Sequence, residues 1–360
     1  MPITHVPLPG REYDIVVEPG LLSSCGERIS MLGLGRNCAV ITDENVAAHH
    51  AETVMSSLRE SGHEVSLHTI PAGEASKSFS MLEKLSEDLS RSRHDRSSFI
   101  VALGGGVVGD LAGFLAATFY RGIPFIQIPT TIVAQVDSSV GGKTGINLKQ
   151  GKNLVGSFHQ PRLVLIDPLT LRTLPGREFR EGFAEVIKHA AIRDADMLEE
   201  LKSVNPDRPE EVSTDLIARN VAIKAAIVIE DERETTGRRA LLNFGHTIGH
   251  GIEAAIPYGE LLHGEAISLG IRAAVFLSER HSGLPPETGR KVISLLDHFG
   301  LPLKLSEEIS TETVLAKLSK DKKFEAGSIR FVLLRDAGDA YVSPDITASD
   351  LEDAIEHLRS

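Results

Sequence analysis

The first half of the chain alternates short apolar runs with amphipathic stretches. The segments "NCAVIT" (37–42), "HEVSLHTI" (63–70) and "SFIVALGGG" (98–106) have the length and β-branched content of strands. Helical periodicity separates them, in "ENVAAHHAETVMSSLRESG" (44–62) and "SFSMLEKLSEDLSRSR" (78–93). Strands that alternate with helices of this length form a parallel sheet covered on both faces. The pattern therefore predicts an α/β region. Two further strand-like runs extend it: "PFIQIPTT" (124–131) and "RLVLIDP" (162–168).

The second half is mainly helical in pattern. Strand-like alternation returns only at "SIRFVLL" (328–334). This change predicts a domain boundary near residues 174–177, with an α/β domain at 1–176 and a mainly α-helical domain at 177–360. The helical patterns are "REFREGFAEVIKHAAI" (177–192), "STDLIARNVAIKAAIVIEDERE" (213–234), "LNFGHTIGHGIEAA" (242–255) and "GEAISLGIRAAVFLSERHSG" (264–283).

Charge and cysteine content narrow the possible partners and compartments. The formal net charge of −12 argues against nucleic acid or an anionic membrane as the main partner. The two cysteines, Cys25 and Cys38, have no metal-binding spacing, which argues against a disulfide framework. No apolar run reaches the roughly 18 residues of a membrane span, and the N-terminus does not resemble a signal peptide. We expect a cytoplasmic protein.

A glycine loop, "LGGGVVGDLAGF", lies between a predicted strand and a predicted helix. Gly104, Gly106 and Gly109 match G-x-G-x-x-G, a spacing whose backbone N–H groups can hold a pyrophosphate at the helix N-terminus. Glycines at such a turn are equally consistent with tight-turn geometry alone. Asp43, at the end of the strand "AVIT", is a candidate partner for the ribose of a dinucleotide.

Three histidines lie close together in "NFGHTIGHGIEAAIPYGELLHGEA". His246 and His250 are four residues apart and share one face of a helix, and the turn at "IPYG" can return His263 to either of them. These histidines are either metal ligands or structural residues. Glu185, on a mostly apolar helix, is a candidate anionic ligand; its alternative role is an ion pair with Lys188 or His189.

Eight ordered blocks between about Asp43 and Lys323 resemble the 3-dehydroquinate synthase family. The resemblance implies an NAD-binding α/β domain of Rossmann-like type followed by an all-α metal-binding domain, a fold shared with glycerol and iron-dependent alcohol dehydrogenases. It also implies conversion of 3-deoxy-D-arabino-heptulosonate 7-phosphate to 3-dehydroquinate and phosphate, a lyase reaction of the shikimate pathway, with catalytic NAD and one divalent metal ion, Zn²⁺ or Co²⁺. The blocks are "PAGEASK", "GGGVVGD", "IPTTIVAQVDSSVGGKTGIN", "KNLVGSFHQP", "LRTLPGREF", "AEVIK", "LLNFGHTIGHGIEA" and "LHGEA".

The resemblance assigns roles to individual residues. It makes Glu185, His246 and His263 the metal ligands, and it makes His250 a proton relay. It implies that Arg121 reaches the neighbouring subunit's phosphate site, and hence a homodimer. The implied substrate contacts are Lys143, Lys152, Lys188, Lys224, Arg239, one of Lys322 and Lys323, Asp137, Asn153 and Asn243. The implied NAD contacts are Asp43, Asn45, Glu74, Lys77, Gly105, Gly106, Val107, Val108, Gly109, Asp110, Thr130, Thr131, Lys143, Lys152, Thr170, Leu171, Arg172 and Thr173.

The sequence leaves alternatives open for one arginine and for the function. The loop "TTGRRA" is one residue longer than the usual family pattern, so Arg238 competes with Arg239 for the substrate contact. Related sugar-phosphate cyclases, which form 2-deoxy-scyllo-inosose or 2-epi-5-epi-valiolone, share most of the blocks. A metal-dependent polyol dehydrogenase would need no cluster of phosphate-binding cations. A non-catalytic binding module would leave the pairing of glycine loop and histidines unexplained.

Overall fold

The computed structural model describes residues 2–257, 259–318 and 329–360 of the chain. The chain divides into two compact units, of which the first comprises Met1–Leu174 with Val212–Ile229 and the second Pro175–Glu211 with Glu230–Ser360. The sequence places its boundary between residues 176 and 177, close to the end of Leu174. It assigns Val212–Ile229 to the second domain, whereas this segment belongs to the first unit. The division into folding domains stays a prediction.

The first unit is built on a seven-stranded sheet with the order β1-β2-β9-β6-β5-β3-β4. All neighbouring strands in it are parallel except β1 and β2, which pair antiparallel at one edge. A separate antiparallel hairpin, β7–β8, was not predicted from the sequence. The strands are β1 (Ile3–Val6), β2 (Tyr13–Val17), β3 (Asn37–Asp43), β4 (Glu64–Ile70), β5 (Phe99–Gly104), β6 (Phe125–Pro129), β7 (Lys143–Leu148), β8 (Gly151–Phe158) and β9 (Leu163–Ile166).

Both faces of this sheet are buried. On β3, Cys38 and Val40 belong to one apolar cluster, whereas Ala39 and Ile41 belong to another. Successive side chains of a strand point to opposite faces, so a continuously apolar strand requires cover on both sides. On one side the cover comes from α1 (Cys25–Ser30), α2 (Glu44–Val46), a π-helical segment at Ala47–Ala51 and α3 (Glu52–Glu60), and on the other from α4 (Phe79–Arg91) and α5 (Gly106–Thr118). The unit also contains most of α9 (Thr214–Glu230).

The strand register aligns the carboxyl ends of β3, β5 and β6. Thr42 pairs with Leu103, and Gly104 pairs with Pro129. The chain runs outward from β3 to β4 and then returns across β3 to β5, so the strand order reverses between β3 and β5. Open α/β sheets bind ligands outside the strand ends at such a reversal. The fold therefore places Asp43 and the glycine loop at a ligand-binding position.

The second unit is helical, with one two-stranded hairpin, and with the α/β first unit it confirms the predicted fold class. The predicted strand "SIRFVLL" lies in β10 (Ile329–Asp336), which pairs antiparallel with β11 (Asp339–Ile346), so this half is not entirely α-helical. No helix among the described residues is long and apolar enough to cross a membrane. The helices are α6 (Gly176–Glu181), α7 (Phe183–Arg193), α8 (Ala195–Glu200), α10 (His246–Ala255), α11 (His263–Ser282), α12 (Pro286–His298), α13 (Thr311–Leu318) and α14 (Ala348–His357).

Candidate active site

The glycine loop of the first unit leaves the start of α5 open to a ligand. Gly105 is the N-cap residue and provides no side-chain cap. The first N–H groups of a helix have no partner within the helix, and they favour an anion. A Cβ at Gly105 would lie 3.1 Å from Thr131 Cγ2, and a Cβ at Gly106 would lie 3.1 Å from Ser138 Oγ. The loop can therefore hold a phosphate. The predicted NAD residues Val107–Asp110 form the first turns of α5.

Asp43 has a structural role at the neighbouring strand end. Its Oδ1 accepts hydrogen bonds from the backbone N–H groups of Asn45 at 2.9 Å and Val46 at 3.0 Å. These bonds cap the helix that begins at Glu44. The predicted contacts of Asp43 and Asn45 with NAD stay predictions, and the cap fixes the position of both residues.

A buried lysine connects several other predicted NAD residues. Lys77 Nζ donates to Asp110 Oδ2 at 2.6 Å and to the side-chain carbonyl of Asn153, and it lies 3.4 Å from Glu74 Oε1. Asn147 bridges the same group, since its Nδ2 donates to Glu74 Oε1 and its Oδ1 accepts from Asn153 N, both at 2.8 Å. Burial raises the pKa of Asp110, although Lys77 opposes that shift. The structure thus brings Glu74, Lys77, Asp110 and Asn153 together.

The remaining predicted NAD residues follow β6 and β9. Thr130 N donates to Gly104 O at 3.0 Å, and the buried Thr130 Oγ1 has no hydrogen-bond partner among the residues described. Thr131 Oγ1 accepts from Ala134 N at 3.1 Å. The predicted segment Thr170–Thr173 lies in a 3₁₀ helix at Pro168–Thr173. In that segment Thr170 and Leu171 are buried, whereas Arg172 and Thr173 are exposed.

The predicted substrate residues of the first unit fall into a paired set and an exposed set. Lys224, on α9, has its Nζ 2.7 Å from Asp137 Oδ1 and donates to Asp137 O at 2.5 Å. Both side chains are at least partly buried, so this pair is held in place. Lys143 and Lys152 belong to the β7–β8 hairpin and are exposed.

The further predicted cations are Arg121, Lys322 and Lys323. Arg121 is exposed and has a φ of 67°, directly after Tyr120 with a φ of 49°. Two consecutive non-glycine residues in the left-handed region are uncommon, so the surrounding structure must hold this turn. Lys322 and Lys323 lie outside the described residues.

In the second unit, helix α7 is buried all round and carries a charged pair. Glu185 and Lys188 are 0% and 1% exposed, and they form an ion pair between Glu185 Oε2 and Lys188 Nζ. Burial would raise the pKa of Glu185, but Lys188 and His246 hold it well below its usual range. The ion pair considered as an alternative role for Glu185 is therefore present. It occupies Oε2 and leaves Oε1 for a second function.

Two imidazoles face that second oxygen. Glu185 Oε1 lies 3.2 Å from His246 Nε2 and 3.4 Å from His263 Nε2, and it accepts no hydrogen bond from any described residue. His246 Nδ1 is 3.1 Å from Phe244 O, and His263 Nδ1 is 3.3 Å from Glu253 Oε2. Carbonyl and carboxylate oxygens only accept, so both Nδ1 atoms donate, and each Nε2 atom can bind a metal ion once it carries no proton.

This arrangement fits a divalent metal ion. Zinc bonds to nitrogen and oxygen of about 2.0–2.2 Å place two tetrahedral ligand atoms roughly 3.3–3.6 Å apart. The distance from Glu185 Oε1 to His263 Nε2, 3.4 Å, lies within that range, and the distance to His246 Nε2, 3.2 Å, is just below it. Burial lowers the pKa of His246. Burial would also lower the pKa of His263, but Glu185 and Glu253 raise it to about 10, because both carboxylates stabilise the protonated ring.

His250 completes the histidine cluster. One ring nitrogen from each of His246, His250 and His263 lies within 4.8 Å of the other two. The His250 ring centroid is 5.1 Å from that of His246 and 5.8 Å from that of His263, and His250 is the exposed member. An exposed imidazole beside one buried and one partly buried imidazole is suited to exchange protons with a ligand.

Three glycines bring α10 and α11 into direct contact. Gly245 precedes His246 with a φ of 77°, and a Cβ there would lie 2.8 Å from Ile271 N. A Cβ at Gly270 would lie 1.9 Å from Gly245 O, and one at Gly249 would lie 2.9 Å from Ile267 Cδ1. Only glycine permits this approach. The close packing explains how residues 17 positions apart, His246 and His263, converge.

Arg239 is the buried member of the arginine pair. Its side chain is 4% exposed against 67% for Arg238, and its Nε is 3.5 Å from Glu234 Oε1. The buried Asp231 shapes this loop, since Oδ2 accepts from Arg239 N at 3.2 Å. Burial would raise the pKa of Asp231, but backbone N–H donors, including that of Arg239, lower it to about 2. Asn243 is partly buried at the end of the 3₁₀ helix Arg238–Asn243.

Sequence reasoning missed Glu253 and Glu181. Glu253 follows His246 by seven residues and His250 by three, a helical spacing that puts all three on one face and could have been noticed. Glu181 Oε2 accepts from Gly264 N at 2.5 Å and so holds the start of α11. Burial raises the pKa of Glu181 to about 7. No sequence signal marks this contact, because Glu181 and Gly264 are 83 positions apart.

Comparison with known proteins assigns the family. The 3-dehydroquinate synthase N-terminal model matches residues 67–181, and the 3-dehydroquinate synthase C-terminal model matches residues 182–324. The 3-dehydroquinate synthase of Caulobacter vibrioides is 47% identical over 351 residues, which are 95% of each chain. The chain belongs to the 3-dehydroquinate synthase family. The resemblance seen in the sequence is thereby confirmed.

Solved structures of two other cyclases share the fold at lower identity. A 2-deoxy-scyllo-inosose synthase complexed with carbaglucose-6-phosphate, NAD⁺ and Co²⁺ is 25% identical, with a TM-score of 0.87 over 99% of both chains. A 2-epi-5-epi-valiolone synthase from Streptomyces hygroscopicus subsp. jinggangensis 5008, with NAD⁺ and Zn²⁺ bound, is 28% identical, with a TM-score of 0.88 over 96% of both chains. The much higher identity to the Caulobacter relative favours 3-dehydroquinate synthase activity over either alternative cyclase.

Proposed function

We propose that the chain converts 3-deoxy-D-arabino-heptulosonate 7-phosphate to 3-dehydroquinate and phosphate, as a phosphorus–oxygen lyase that uses NAD and one divalent metal ion, zinc or cobalt. The observation that carries the proposal is the convergence of Glu185 Oε1, His246 Nε2 and His263 Nε2. The bound NAD⁺ and Co²⁺ or Zn²⁺ in the two cyclase structures support the choice of cofactors.

We propose that NAD binds at the carboxyl ends of β3, β5 and β6. The open N-terminus of α5 would hold the pyrophosphate, with glycine at positions 105 and 106 leaving room for it. Asp43 would contact a ribose, and the network around Lys77 would fix the remaining polar contacts. The buried Thr130 Oγ1 has no partner among the described residues, which fits a further contact with the cofactor.

Glu185, His246 and His263 would hold the metal ion. Three protein ligands leave a position open for substrate, as a catalytic site requires. When bound, the metal lowers the pKa of a substrate hydroxyl, and NAD accepts and later returns a hydride. His250, the exposed imidazole of the cluster, would take the hydroxyl proton and give it back on reduction. Its ring is held beside those of both histidine ligands.

The substrate's phosphate and carboxylate require cations in a chain of net charge −12. Three predicted cations are buried and already paired with acids: Lys188 with Glu185, Lys224 with Asp137 and Arg239 with Glu234. Pairing with a carboxylate stabilises each buried cation and holds it in position. An anionic group of the substrate can then take the place of that carboxylate, or bind the same cation beside it. The leaving phosphate would be stabilised in the same way. Lys143, Lys152, Asn153, Asn243 and one of Lys322 and Lys323 complete the proposed contacts.

We also propose a homodimer that works in the cytoplasm. Arg121 directly follows Tyr120, which is 51% exposed and lines one surface hollow together with Phe79, which is 54% exposed. Exposed aromatic side chains of this size are typical of association surfaces. Cys25 and Cys38 are both free and buried, as expected in a reducing compartment. Light scattering after size exclusion tests the dimer, and a monomer at micromolar concentration would contradict it.

Phosphate release tests the proposed reaction. Purified chain with stoichiometric NAD and Zn²⁺ should release many equivalents of phosphate from the heptulosonate phosphate without net NADH accumulation. Parallel incubations with heptulose and hexose phosphates should release at least tenfold less. Preference for a hexose or heptulose phosphate would instead favour another cyclase, and steady formation of NADH would favour a polyol dehydrogenase.

A further inference from the structure

Glu253 contacts a predicted metal ligand without facing the predicted metal position. Its Oε2 lies 3.3 Å from Nδ1 of His263, whereas the opposite ring nitrogen, Nε2, lies 3.4 Å from Glu185 Oε1. The Glu253 side chain is 13% exposed, so solvent competes little for this carboxylate. Glu253 therefore approaches the far side of the His263 ring from the one that faces Glu185.

The two predicted histidine ligands are oriented by different kinds of partner. His246 Nδ1 is held by a backbone carbonyl, Phe244 O, only two residues away. His263 Nδ1 is held by a side chain from a different helix, because Glu253 belongs to α10 and His263 begins α11. A carboxylate at Nδ1 fixes the tautomer, orients the ring and makes Nε2 more basic toward a metal.

The backbone of His263 is fixed independently of Glu253. The next residue, Gly264, donates to Glu181 Oε2 at 2.5 Å. Glu265 accepts from Leu262 N at 2.8 Å and is held by Arg177 through two bonds of 2.7 Å. These contacts position the Cα of His263 but leave rotation of its ring open. Glu253 supplies the contact that selects a ring orientation.

We propose that Glu253 is a positioning residue, which holds His263 with its Nδ1 protonated and its Nε2 lone pair directed at the metal. The inference rests on the proposed metal site. It predicts that Glu253 controls how tightly the ion is held rather than whether the fold forms. Loss of an outer partner of a metal-bound histidine typically weakens metal binding by about 10–100-fold.

Zinc affinity measured by competition with a chromophoric chelator tests the role. Glu253→Ala should raise the zinc dissociation constant by about 10–100-fold. Glu253→Gln keeps an oxygen that can accept from Nδ1 but loses the charge, and it should give a smaller increase. Glu260→Gln is the matched control, because Glu260 is an exposed carboxylate near the same turn and should leave the affinity unchanged. Circular dichroism and thermal melts of each metal-free variant identify any that fails to fold.

A second measurement detects the hydrogen bond at Nδ1 of the His263 ring. In the zinc-loaded wild type, ¹⁵N spectra should show a His263 Nδ1–H that exchanges slowly with solvent, and Glu253→Ala should speed that exchange. Unchanged zinc affinity and an unchanged His263 Nδ1–H signal in Glu253→Ala would overturn the positioning role. Loss of zinc from Glu253→Gln as complete as that from His246→Ala would also overturn it, since Glu253 would then be a ligand. If the wild type binds no zinc, or if His246→Ala binds it fully, the proposed metal site itself fails.

Discussion

The candidate sites of the two units consist of different chemical groups. The first unit offers backbone groups at the ends of parallel strands, with the open start of α5 next to the cap formed by Asp43. The second unit offers side chains buried within helices, where Glu185 is fully buried and its two oxygens face a lysine and two imidazoles. A backbone site depends on local chain geometry, whereas a buried charged site depends on every partner being present.

This difference predicts that substitutions of buried side chains in the second unit cause the largest losses of metal binding and activity. His246→Ala removes one of three proposed ligands, so zinc affinity should fall by more than the roughly 100-fold expected for loss of an outer partner. Phosphate release should fall with the zinc content. Zinc analysis of the purified variant, set beside turnover at saturating zinc, measures both.

His250→Ala is the matched control for that variant. It should keep its zinc and lose about 10²–10⁴-fold in rate, as expected for loss of a general acid–base group. If His246→Ala retained full zinc while His250→Ala lost it, the roles of the two histidines would be exchanged.

A substitution that separates α10 from α11 should reduce stability and zinc binding nearly as strongly. In Gly270→Ala, the new Cβ would lie 1.9 Å from Gly245 O, so the helices must separate. We expect a loss of about 3 kcal/mol in the free energy of unfolding, together with weaker zinc binding. Urea denaturation measures the first effect and chelator competition the second. Gly176→Ala, where the nearest atom would be 3.4 Å away, should change neither.

A glycine-to-alanine substitution at the glycine loop of the first unit should have a smaller effect. In Gly106→Ala, the added Cβ would lie 3.1 Å from Ser138 Oγ, a side chain that can adjust. We expect NAD binding to weaken by about tenfold, or about 1.4 kcal/mol, with unchanged zinc affinity. Fluorescence titration with NADH gives the first quantity. A variant that lost zinc and NAD affinity together would contradict the independence of the two sites.

The smallest expected effect is on the pH dependence of stability, and it arises from Asp231 in the loop that carries Arg239. The pKa of Asp231 is about 2 in the folded chain, below its ordinary value of 3.8, because backbone N–H groups stabilise the carboxylate against the cost of burial. A folded pKa below the unfolded one stabilises the protein above about pH 4, and this contribution is lost as the pH falls toward 2. Asp231→Asn should therefore be less stable than wild type at pH 6, and the difference should shrink below pH 4. Urea denaturation across this range tests it. A constant difference would mean that the carboxylate charge is unimportant.

Much of the first unit followed from the sequence, because its signals are local. The apolar strands and the glycine loop are expressed in short segments. The strand order, with its reversal between β3 and β5, was not predicted, because it depends on pairing between segments far apart in the sequence. The β7–β8 hairpin was not predicted, although its residues were noticed as motifs. In the second unit the histidine spacing was visible, but the role of Gly245 and Gly270 was not, because their close approach depends on the packing of two helices. The mostly apolar helix made Glu185 a candidate ligand, and the family resemblance then favoured that role over an ion pair with Lys188 or His189.

One carboxylate and two imidazoles of the second unit are proposed to hold a single metal ion. X-ray diffraction at the zinc absorption edge, from crystals of the zinc-loaded chain, would locate that ion. We expect one strong anomalous peak about 2.0–2.2 Å from Glu185 Oε1, His246 Nε2 and His263 Nε2. A peak bound by other side chains, or none at this cluster in a zinc-loaded, active protein, would refute the proposed site.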